Sequence, residues 1–471
     1  MTDIGTLRRR TTRRTFLRNL GAGALAAMGA GHSRAFGALE GGKSVTRRPN
    51  IIFILADDLG YGDVGCYGQK RIKTPALDRL ASEGVRFTQC YAGSTVCAPS
   101  RCALMTGFHT GHARIRGNAR VPLLPEDVTV AEMLKGAGYA TGIVGKWGLG
   151  EPDTTGTPTK QGFDCWFGYL NQGHAHDYYP DYLWRNEQRV EIAENAPGKK
   201  GAYSHDLFTQ EALDFIRRAQ DTPFFLYLAY TIPHANNELG RDTGNGMEVP
   251  DSKPYSRESW PQVEKGYAAM VTRMDRDIGK VVALLKTLGI DDDTVIFFTS
   301  DNGPHREGGH NPEFFNDSGP LRGIKRDLYE GGIRVPMIAR WPRRIKGGTV
   351  SDQVWAFWDF LPTAAEIAGV EPPAGLDGIS MLPGLLGKRQ RTAPYLYWEF
   401  FEGGFQQAVR MGDWKAVRRP PFSGIELYDL AHDLAEGRNV APEHAEIVAR
   451  IAGIMAQART DSPDFPVADR R

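Results

Sequence analysis

The sequence predicts an α/β protein whose large, mostly parallel sheet is sandwiched by helices. From residue 50 onward, short runs of consecutive apolar residues alternate with segments of helical periodicity. Continuous apolar runs are typical of strands buried on both faces, and their alternation with helices is typical of parallel sheets. The length of 471 residues and the 41% share of hydrophobic residues are sufficient for a sizeable buried core.

Four apolar runs are the main strand candidates, and they span residues 51–56, 140–144, 224–230 and 295–299. A helix is predicted after the capping residue Thr74, with Pro75 at its first position and Gly84 at its end. A longer helix is predicted over 261–288, and we interpret its apolar stripe as a core face. The stripe consists of Tyr267, Met270, Met274 and Ile278.

A small C-terminal α+β domain is predicted beyond a segment rich in Pro, Gly and basic residues at 371–394. Two strand-like pieces, 406–410 and 414–417, precede a helical pattern at 445–458. This order indicates a small sheet with one packed helix. We therefore assign residues 49–385 to a large α/β domain and residues 386–471 to the small domain.

Residues 1–37 have the character of an export signal. The pair Arg13-Arg14 precedes Phe16 and Leu17, and a short apolar stretch follows at 20–31. A stretch of about 12 residues suits the core of a signal peptide and is too short to cross a bilayer. The paired arginines resemble a twin-arginine (Tat) signal, so we expect the Tat export machinery as a partner and a periplasmic or extracellular location. The alternative is a disordered basic tail.

Charge and composition exclude several classes of protein. Residues 1–37 hold seven arginines and one acid, so the remaining chain is mildly acidic although the whole chain has a net charge of +1. A nucleic-acid-binding protein would instead carry a basic stripe in its folded part. No run of about 20 apolar residues follows residue 40, so no stable membrane insertion is expected. Five cysteines are too few for a disulfide scaffold of this length.

Polar residues follow four of the predicted strands within a few positions. Ligands bind at the carboxyl ends of strands in open α/β sheets, so these residues are expected to converge. Three carboxylates cannot all stay ionised at close range without a cation, and oxygen ligands fit calcium or magnesium better than zinc. Taken singly, an acidic pair is more often a turn or a helix cap. The residues concerned are Asp57, Asp58, Lys146, His234, Asp301 and Asn302.

The most specific pattern is Cys97-Ala98-Pro99-Ser100-Arg101, with Leu-Met-Thr-Gly at 104–107. The proline fits the first turn of a helix, which places Cys97 at the positive end of the helix dipole. By itself Cys97 is either an activated thiolate or a buried structural cysteine. The whole string resembles the sulfatase signature Cys-x-Pro-Ser-Arg, in which the cysteine is oxidised after translation to formylglycine.

Further stretches resemble the same family in the same order along the chain. The likeness covers about residues 49–455 and is closest to the arylsulfatase A-like group of the alkaline phosphatase superfamily. It implies an alkaline phosphatase-like fold and a formylglycine-generating enzyme as a partner in maturation. The stretches are 57–60, 145–147, 233–234, 300–303, 319–325, 329–336, 413–415 and 426–430.

The resemblance also implies a role for each matching site residue. It implies that Arg101 orients the formylglycine made from Cys97 and that His234 protonates the leaving alcohol. Calcium is the implied ion, with magnesium as the weaker alternative. The implied metal ligands are Asp57, Asp58, Asp301, Asn302 and residue 97, and the implied sulfate ligands are Lys146, His234 and Lys325.

The chain departs from the family at Gly148, where the usual pattern Gly-Lys-Trp-His-Leu-Gly has histidine. That histidine is a candidate base for releasing sulfate in the family, and glycine cannot replace it. The candidate replacements are His174, His176, His305 and His310. The polar and aromatic segment 173–180, with Trp184, Arg185 and Asn186, is either a carbohydrate-binding wall or a loop buried by its own tyrosines. From this set we predict substrate contacts by His174, His176, Arg185 and His305.

The combined interpretation is an exported, calcium-dependent sulfuric ester hydrolase with a sulfated carbohydrate as natural substrate. One rival is a phosphonate or phosphate-ester hydrolase of the same superfamily. The other is a non-catalytic protein that binds sulfated glycans, which the glycine at 148 alone favours.

Overall fold

The computed structural model describes residues 48–419 and 424–467. The predicted export signal, residues 1–37, lies outside the described residues. Among the helices of the described residues, none is both long enough and apolar enough to cross a membrane.

An eleven-stranded mixed sheet forms the centre of the fold, in the order β10-β2-β9-β8-β1-β7-β3-β4-β5-β6, with β11 paired to β2. The five central strands, β8 to β4, run parallel, whereas β9, β5 and β6 pair antiparallel with their neighbours. The strands are β1 (Asn50–Ala56), β2 (Val85–Tyr91), β3 (Ala140–Lys146), β4 (Cys165–Tyr169), β5 (Tyr182–Arg185), β6 (Gln188–Glu191), β7 (Phe224–Ala229), β8 (Thr294–Ser300), β9 (Arg334–Arg340), β10 (Thr349–Ser351) and β11 (Trp355–Ala356).

Helices cover both faces of this sheet, which confirms the predicted fold class. In β1, Phe53 packs with α8 on one face, and Ile52 packs in the cluster that contains α4 and α6 on the other. The helices are α1 (Pro75–Ser82), α2 (Cys97–Thr106), α3 (Val130–Gly136), α4 (Ser204–Ala219), α5 (Asn237–Thr243), α6 (Gln262–Thr287), α7 (Glu330–Ile333), α8 (Phe360–Ala368), α9 (Leu382–Leu385) and α10 (Ala445–Gln457).

The two predicted helices are present, with one difference at a cap. The stripe of α6 is fully buried, as expected for a core face. The hydroxyl of Thr74 does not cap α1 and instead accepts a hydrogen bond from the Gly65 amide at 2.8 Å. The carboxylate of Asp275, from α6, accepts from the amides of Ala76 and Leu77 at 3.1 and 2.8 Å. A tertiary contact therefore supplies the cap that the sequence assigned to Thr74.

A four-stranded antiparallel sheet lies beyond residue 395 and consists of β12 (Leu396–Phe400), β13 (Gln406–Met411), β14 (Trp414–Arg418) and β15 (Glu426–Asp429). One face packs on α10, where Tyr397 clusters with Ile451. The other face packs on the large sheet, where the ring of Trp398 lies 5.4 Å from that of Tyr91 and 5.5 Å from that of Trp358. The predicted small sheet with one packed helix is thus present.

Candidate active site

The carboxyl ends of the parallel strands β1 and β8 bring three aspartates together. Ala56 pairs with Ser300 at the end of the two strands, so Asp57 and Asp58 emerge beside Asp301. The Asp58 amide donates to Oδ1 of Asp301 at 3.1 Å, and all three aspartates are fully buried. Burial and the nearby Asp57 carboxylate raise the pKa of Asp301 to about 7.

Two buried lysines neutralise part of this charge. Lys146, the last residue of β3, places its Nζ 2.7 Å from Oδ2 of Asp57. Lys325, from the loop that follows β8, places its Nζ 2.7 Å from Oδ2 of Asp58. Burial alone would raise the pKa of Asp57, but Lys146 and Arg101 hold it well below its usual range.

Helix α2 presents Cys97 and Arg101 to the same strand ends. The two residues are one turn apart and therefore lie on one face of the helix. The Sγ of Cys97 lies 3.4 Å from Oδ1 of Asp57. Burial and the Asp57 carboxylate raise the pKa of the Cys97 thiol, which is opposite to the shift of an activated thiolate.

The guanidinium of Arg101 joins the start of α2 to the sheet. It is fully buried and donates to Oδ2 of Asp301 at 2.8 Å and to the carbonyl oxygen of Lys146 at 2.7 Å. Its Nη2 also lies 3.4 Å from Oδ2 of Asp57. Arg101 thereby fixes Cys97 relative to the acidic strand ends.

His234 follows β7 and faces Lys325. Its Nε2 lies 3.1 Å from Nζ of Lys325 and 3.4 Å from Oδ2 of Asp58, while its Nδ1 lies 2.7 Å from the carbonyl oxygen of Ala235. Because that carbonyl can only accept, Nδ1 carries a proton and donates it. Burial and the charge of Lys325 lower the pKa of His234 to about 3, so Nε2 faces the site as an acceptor.

The donor set of the cluster fits a hard divalent cation. Potential ligand atoms of Asp57, Asp58, Cys97 and His234 all lie within 4.8 Å of one another. Asn302 donates through Nδ2 to Oδ1 of Asp58 at 2.7 Å, whereas its Oδ1 is buried without a hydrogen-bond partner in the described chain. An orphaned amide oxygen among carboxylates is the kind of ligand that calcium and magnesium take, so these residues fit the ion.

Comparison with known proteins identifies the family to which this arrangement belongs. A family model described as Sulfatase matches residues 49–370, and one described as N-sulphoglucosamine sulphohydrolase, C-terminal, matches residues 324–461. The chain belongs to the sulfatase family. The resemblance stated from the sequence is therefore confirmed, and the protein is a sulfuric ester hydrolase.

This sulfatase is similar to several named relatives over most of its length. It is 36% identical over 424 residues to the N-acetylgalactosamine-6-sulfatase of Sus scrofa, covering 83% of this chain and 76% of the relative. It is 30% identical to the N-acetylgalactosamine-6-O-sulfatase of Bacteroides thetaiotaomicron, covering 88% and 94%. The crystal structure of Ps i-CgsB in complex with k-i-k-neocarrahexaose is 30% identical, with a TM-score of 0.76 over 87% of this chain and 92% of that one.

Two of the four expected substrate contacts lie in the loop after β4. The ring of His176 stacks on that of His234 at 4.9 Å, with Nδ1 3.0 Å from Oε2 of Glu238. His174 packs between the rings of Tyr169 and Tyr182, and its Nε2 is buried without a partner in the described chain. In this sulfatase His176 thus borders the reaction centre directly.

The other two expected contacts have their polar atoms engaged elsewhere. The Nε2 of His305 lies 3.1 Å from the carbonyl oxygen of Pro233, and its Nδ1 accepts from the Glu307 amide at 2.9 Å. Arg185 pairs with Oε2 of Glu211 at 2.6 Å and lies over the ring of Phe167. Neither arrangement leaves a free donor directed at Cys97.

His310, a candidate replacement for the missing histidine, is enclosed by acids. Its two ring nitrogens each lie 2.7 Å from a carboxylate, of Glu264 and Asp317 respectively. The ring also stacks on Tyr267 at 3.8 Å. His310 therefore belongs to a buried network beside the site and has no nitrogen left for the reaction.

Two residues at the site, Glu307 and Asn118, were not predicted from the sequence. Glu307 lies 3.4 Å from Nζ of Lys325 and pairs with Arg326. Asn118 accepts through Oδ1 from the amide of Ala98, the residue next to Cys97, at 3.0 Å. Both lie in loops without a strand or helix pattern, so only the tertiary structure brings them to the site.

A second cluster of possible metal ligands, His109, His112 and Asp377, lies outside the site. The Nδ1 of His109 accepts from the Gly111 amide at 3.2 Å, so its Nε2 carries the proton and faces Asp377 at 3.6 Å. His112 places Nδ1 2.9 Å from the same carboxylate. We interpret this cluster as a hydrogen-bonded structural contact.

Proposed function

We propose that this sulfatase removes sulfate from a carbohydrate, with a formylglycine made from Cys97 as its nucleophile. The observation that carries the proposal is the position of Cys97: it begins a helix at the point where three aspartates and two lysines converge. The names of the relatives, which include N-acetylgalactosamine-6-sulfatases and a complex with k-i-k-neocarrahexaose, favour a sulfated glycan as substrate.

The proposed metal is calcium, with magnesium as the weaker alternative. Asp57, Asp58, Asp301 and Asn302 would hold it together with residue 97. A bound divalent cation supplies positive charge that polarises a sulfate oxygen. The Oδ1 of Asn302, which has no hydrogen-bond partner among the described residues, supports this ligand set, because a buried amide oxygen without a partner is costly.

The proposed roles of the basic residues follow from where their charges lie. A sulfate ester in its transition state spreads negative charge over the oxygens of the transferred group, and preorganised cations stabilise that charge. Lys146 is anchored on Asp57, and Lys325 on Asp58, His234 and Glu307, so both ammonium charges are held in place at the site. Arg101, one helical turn after residue 97, would fix the position of residue 97 relative to the aspartates.

One hydroxyl of the formylglycine hydrate would attack sulfur as the S–O bond to the alcohol breaks. The second hydroxyl, on losing its proton, would re-form the aldehyde as the C–O bond to sulfate breaks. His234 is the proposed proton donor to the leaving alcohol. Its Nε2 faces the site as an acceptor beside Lys325 at 3.1 Å, so it must take up a proton before it can act. His176, stacked on His234, would orient it.

Residues 1–37 support export through the Tat machinery into the periplasm or beyond the cell. Because Tat cargo crosses the membrane folded, Cys97 would be oxidised by a formylglycine-generating enzyme before export. A fusion of residues 1–40 to a reporter protein tests this step. Replacement of Arg13-Arg14 by two lysines should retain the reporter inside the cell.

Turnover of a defined panel tests the proposed activity. Protein co-expressed with a formylglycine-generating enzyme should release sulfate from at least one sulfated monosaccharide and from an aryl sulfate. A higher kcat/KM on aryl phosphonates than on sulfates would favour the phosphonate hydrolase. Retention on a sulfated-glycan column without turnover of any ester would favour the non-catalytic binding protein.

A further inference from the structure

A small pocket of about 90 Å³ opens beside the end of β3, with room for part of a sugar ring and its hydroxyl group but not for a whole small molecule. It adjoins the reaction centre on two sides. Gly148 lies two residues after Lys146, and Asn118 contacts the amide next to Cys97. The lining side chains and backbone include Asn118, Arg120, Gly148, Glu151, Asn171 and Gln172.

The side chain of Gln172 occupies the space above Gly148. A Cβ atom at position 148 would lie 2.4 Å from Nε2 of Gln172, and the φ of +81° at Gly148 also disfavours a side chain. The glutamine amide therefore stands where a side chain of residue 148 would otherwise face the site.

The side-chain amide of Gln172 is left unsatisfied by the part of the chain that the structure describes. Both Nε2 and Oε1 are buried, and neither has a hydrogen-bond partner in the described chain. A buried amide in this state is destabilising, and native proteins normally satisfy such groups with water or a ligand.

The neighbouring amides in the pocket are already engaged. Asn171 donates to Glu151 at 3.2 Å and accepts from the His174 amide at 3.0 Å. The Oδ1 of Asn118 is taken by the Ala98 amide. Among these three amides, Gln172 alone has neither its nitrogen nor its oxygen hydrogen-bonded within the described residues.

We propose that Gln172 is a specificity-determining residue that hydrogen-bonds a hydroxyl group of the sugar ring carrying the sulfate. A hydroxyl both donates and accepts, as does the amide, and a sugar whose sulfate lies at residue 97 extends into the adjoining pocket. This inference rests on the proposed carbohydrate sulfatase activity. An aryl sulfate has no ring hydroxyl, so its hydrolysis does not depend on this contact.

The test compares two substrates in the formylglycine-containing enzyme: the sulfated monosaccharide that the wild type hydrolyses fastest, and 4-nitrophenyl sulfate. Gln172→Leu keeps the size of the side chain and removes the amide. We expect kcat/KM on the sugar to fall about 10- to 100-fold, with less than a threefold change on the aryl sulfate. The melting temperature should stay level or rise, because a partnerless buried amide is removed.

Gln172→Met serves as a second variant with a flexible side chain, and Gln210→Leu, on the exposed side of α4, is the matched control. Equal losses on both substrates, or none on either, would overturn the assignment of Gln172 while leaving the proposed function intact. A wild type that hydrolyses the aryl sulfate but no sugar in the panel would overturn both.

Discussion

Arg101 donates through both Nε and Nη2 to a single carboxylate oxygen, Oδ2 of Asp301, at 3.1 and 2.8 Å. Its third contact, from Nη1 to the carbonyl of Lys146, links the helix that bears Cys97 to a second strand end. One side chain thus sets the position of Cys97 relative to both β8 and β3.

Arg101→Lys should disable the enzyme while retaining the charge. A lysine ammonium cannot reproduce the planar fork that contacts Asp301 and the Lys146 carbonyl together. Misplacement of the reacting group by about 1 Å costs on the order of 100-fold, so we expect at least that loss in kcat/KM on an aryl sulfate. Arg217→Lys, in an exposed pair with Asp214, is the control and should leave kcat/KM unchanged. Retained activity in Arg101→Lys would contradict this positioning role.

Removal of the metal should lower both activity and stability. Without a cation the carboxylates of Asp57, Asp58 and Asp301 repel one another in a buried site. A chelator should therefore abolish turnover and lower the melting temperature, and calcium at about 100 times its Kd should restore roughly 2.7 kcal/mol of stability. Elemental analysis should find about one calcium or magnesium per chain and little zinc.

Asp301→Ala provides the matched variant for the metal. It should bind no calcium, so its melting temperature should not respond to calcium at all. A wild-type melting temperature that is independent of calcium and chelator would contradict the proposed metal site.

His234→Ala should slow substrates with poor leaving groups more than those with good ones. Sugar alcohols need a proton to leave, whereas an activated phenolate departs unaided. General acid catalysis is worth about 10²–10⁴-fold, so the difference between the two substrate classes should be plain. The measurement is the slope of log kcat/KM against leaving-group pKa. A slope equal to that of the wild type would limit His234 to binding sulfate.

Lys415→Met should destabilise the contact between the two sheets. Lys415, in β14, is fully buried and places Nζ 3.0 Å from Glu330 and 3.2 Å from Glu436. Its removal leaves the buried Glu436 carboxylate without a cationic partner among the described residues, for which about 3–5 kcal/mol of stability is typically lost, whereas Glu330 keeps Arg334 at 3.1 Å. Lys135→Met, in an exposed pair with Asp164, is the control and should change stability by less than about 1 kcal/mol.

The stability lost in Lys415→Met should be larger at high pH than at low pH. Burial already raises the pKa of Glu436 to about 7, despite Lys415, so the folded state binds a proton that the unfolded state has lost between pH 4.5 and 7. The contribution of Glu436 to the free energy of unfolding therefore falls as pH rises through that window. Removal of Lys415 makes this decrease larger. The urea midpoint of the variant should drop more at pH 8 than at pH 5. An equal drop at both would contradict this account.

Parallel pairing explains why part of the site was predictable from the sequence. Asp57 and Asp301 follow continuous apolar runs, and such runs form adjacent parallel strands whose ends coincide. The antiparallel strands β2 and β9 were not predicted. β2 alternates apolar residues with Arg86 and Thr88, and β9 contains Pro336, so neither has a continuous apolar run.

Contacts between distant loops could not be predicted from the sequence. The glycine at 148 shows that a side chain is missing, but only the fold shows that Gln172 fills the space. Likewise, the family-like stretches at 329–336 and 413–415 could be recognised separately, whereas the ion pair between Glu330 and Lys415 required the packing of the two sheets. Arg185 was expected at the substrate, yet its position on β5 directs it to Glu211.

The state of residue 97 tests the central claim most directly. Peptide mass spectrometry of the fully active enzyme should show an aldehyde or its hydrate at this position, and Cys97→Ala should be folded but inactive. A quantitatively unmodified Cys97 thiol in fully active protein would contradict the account.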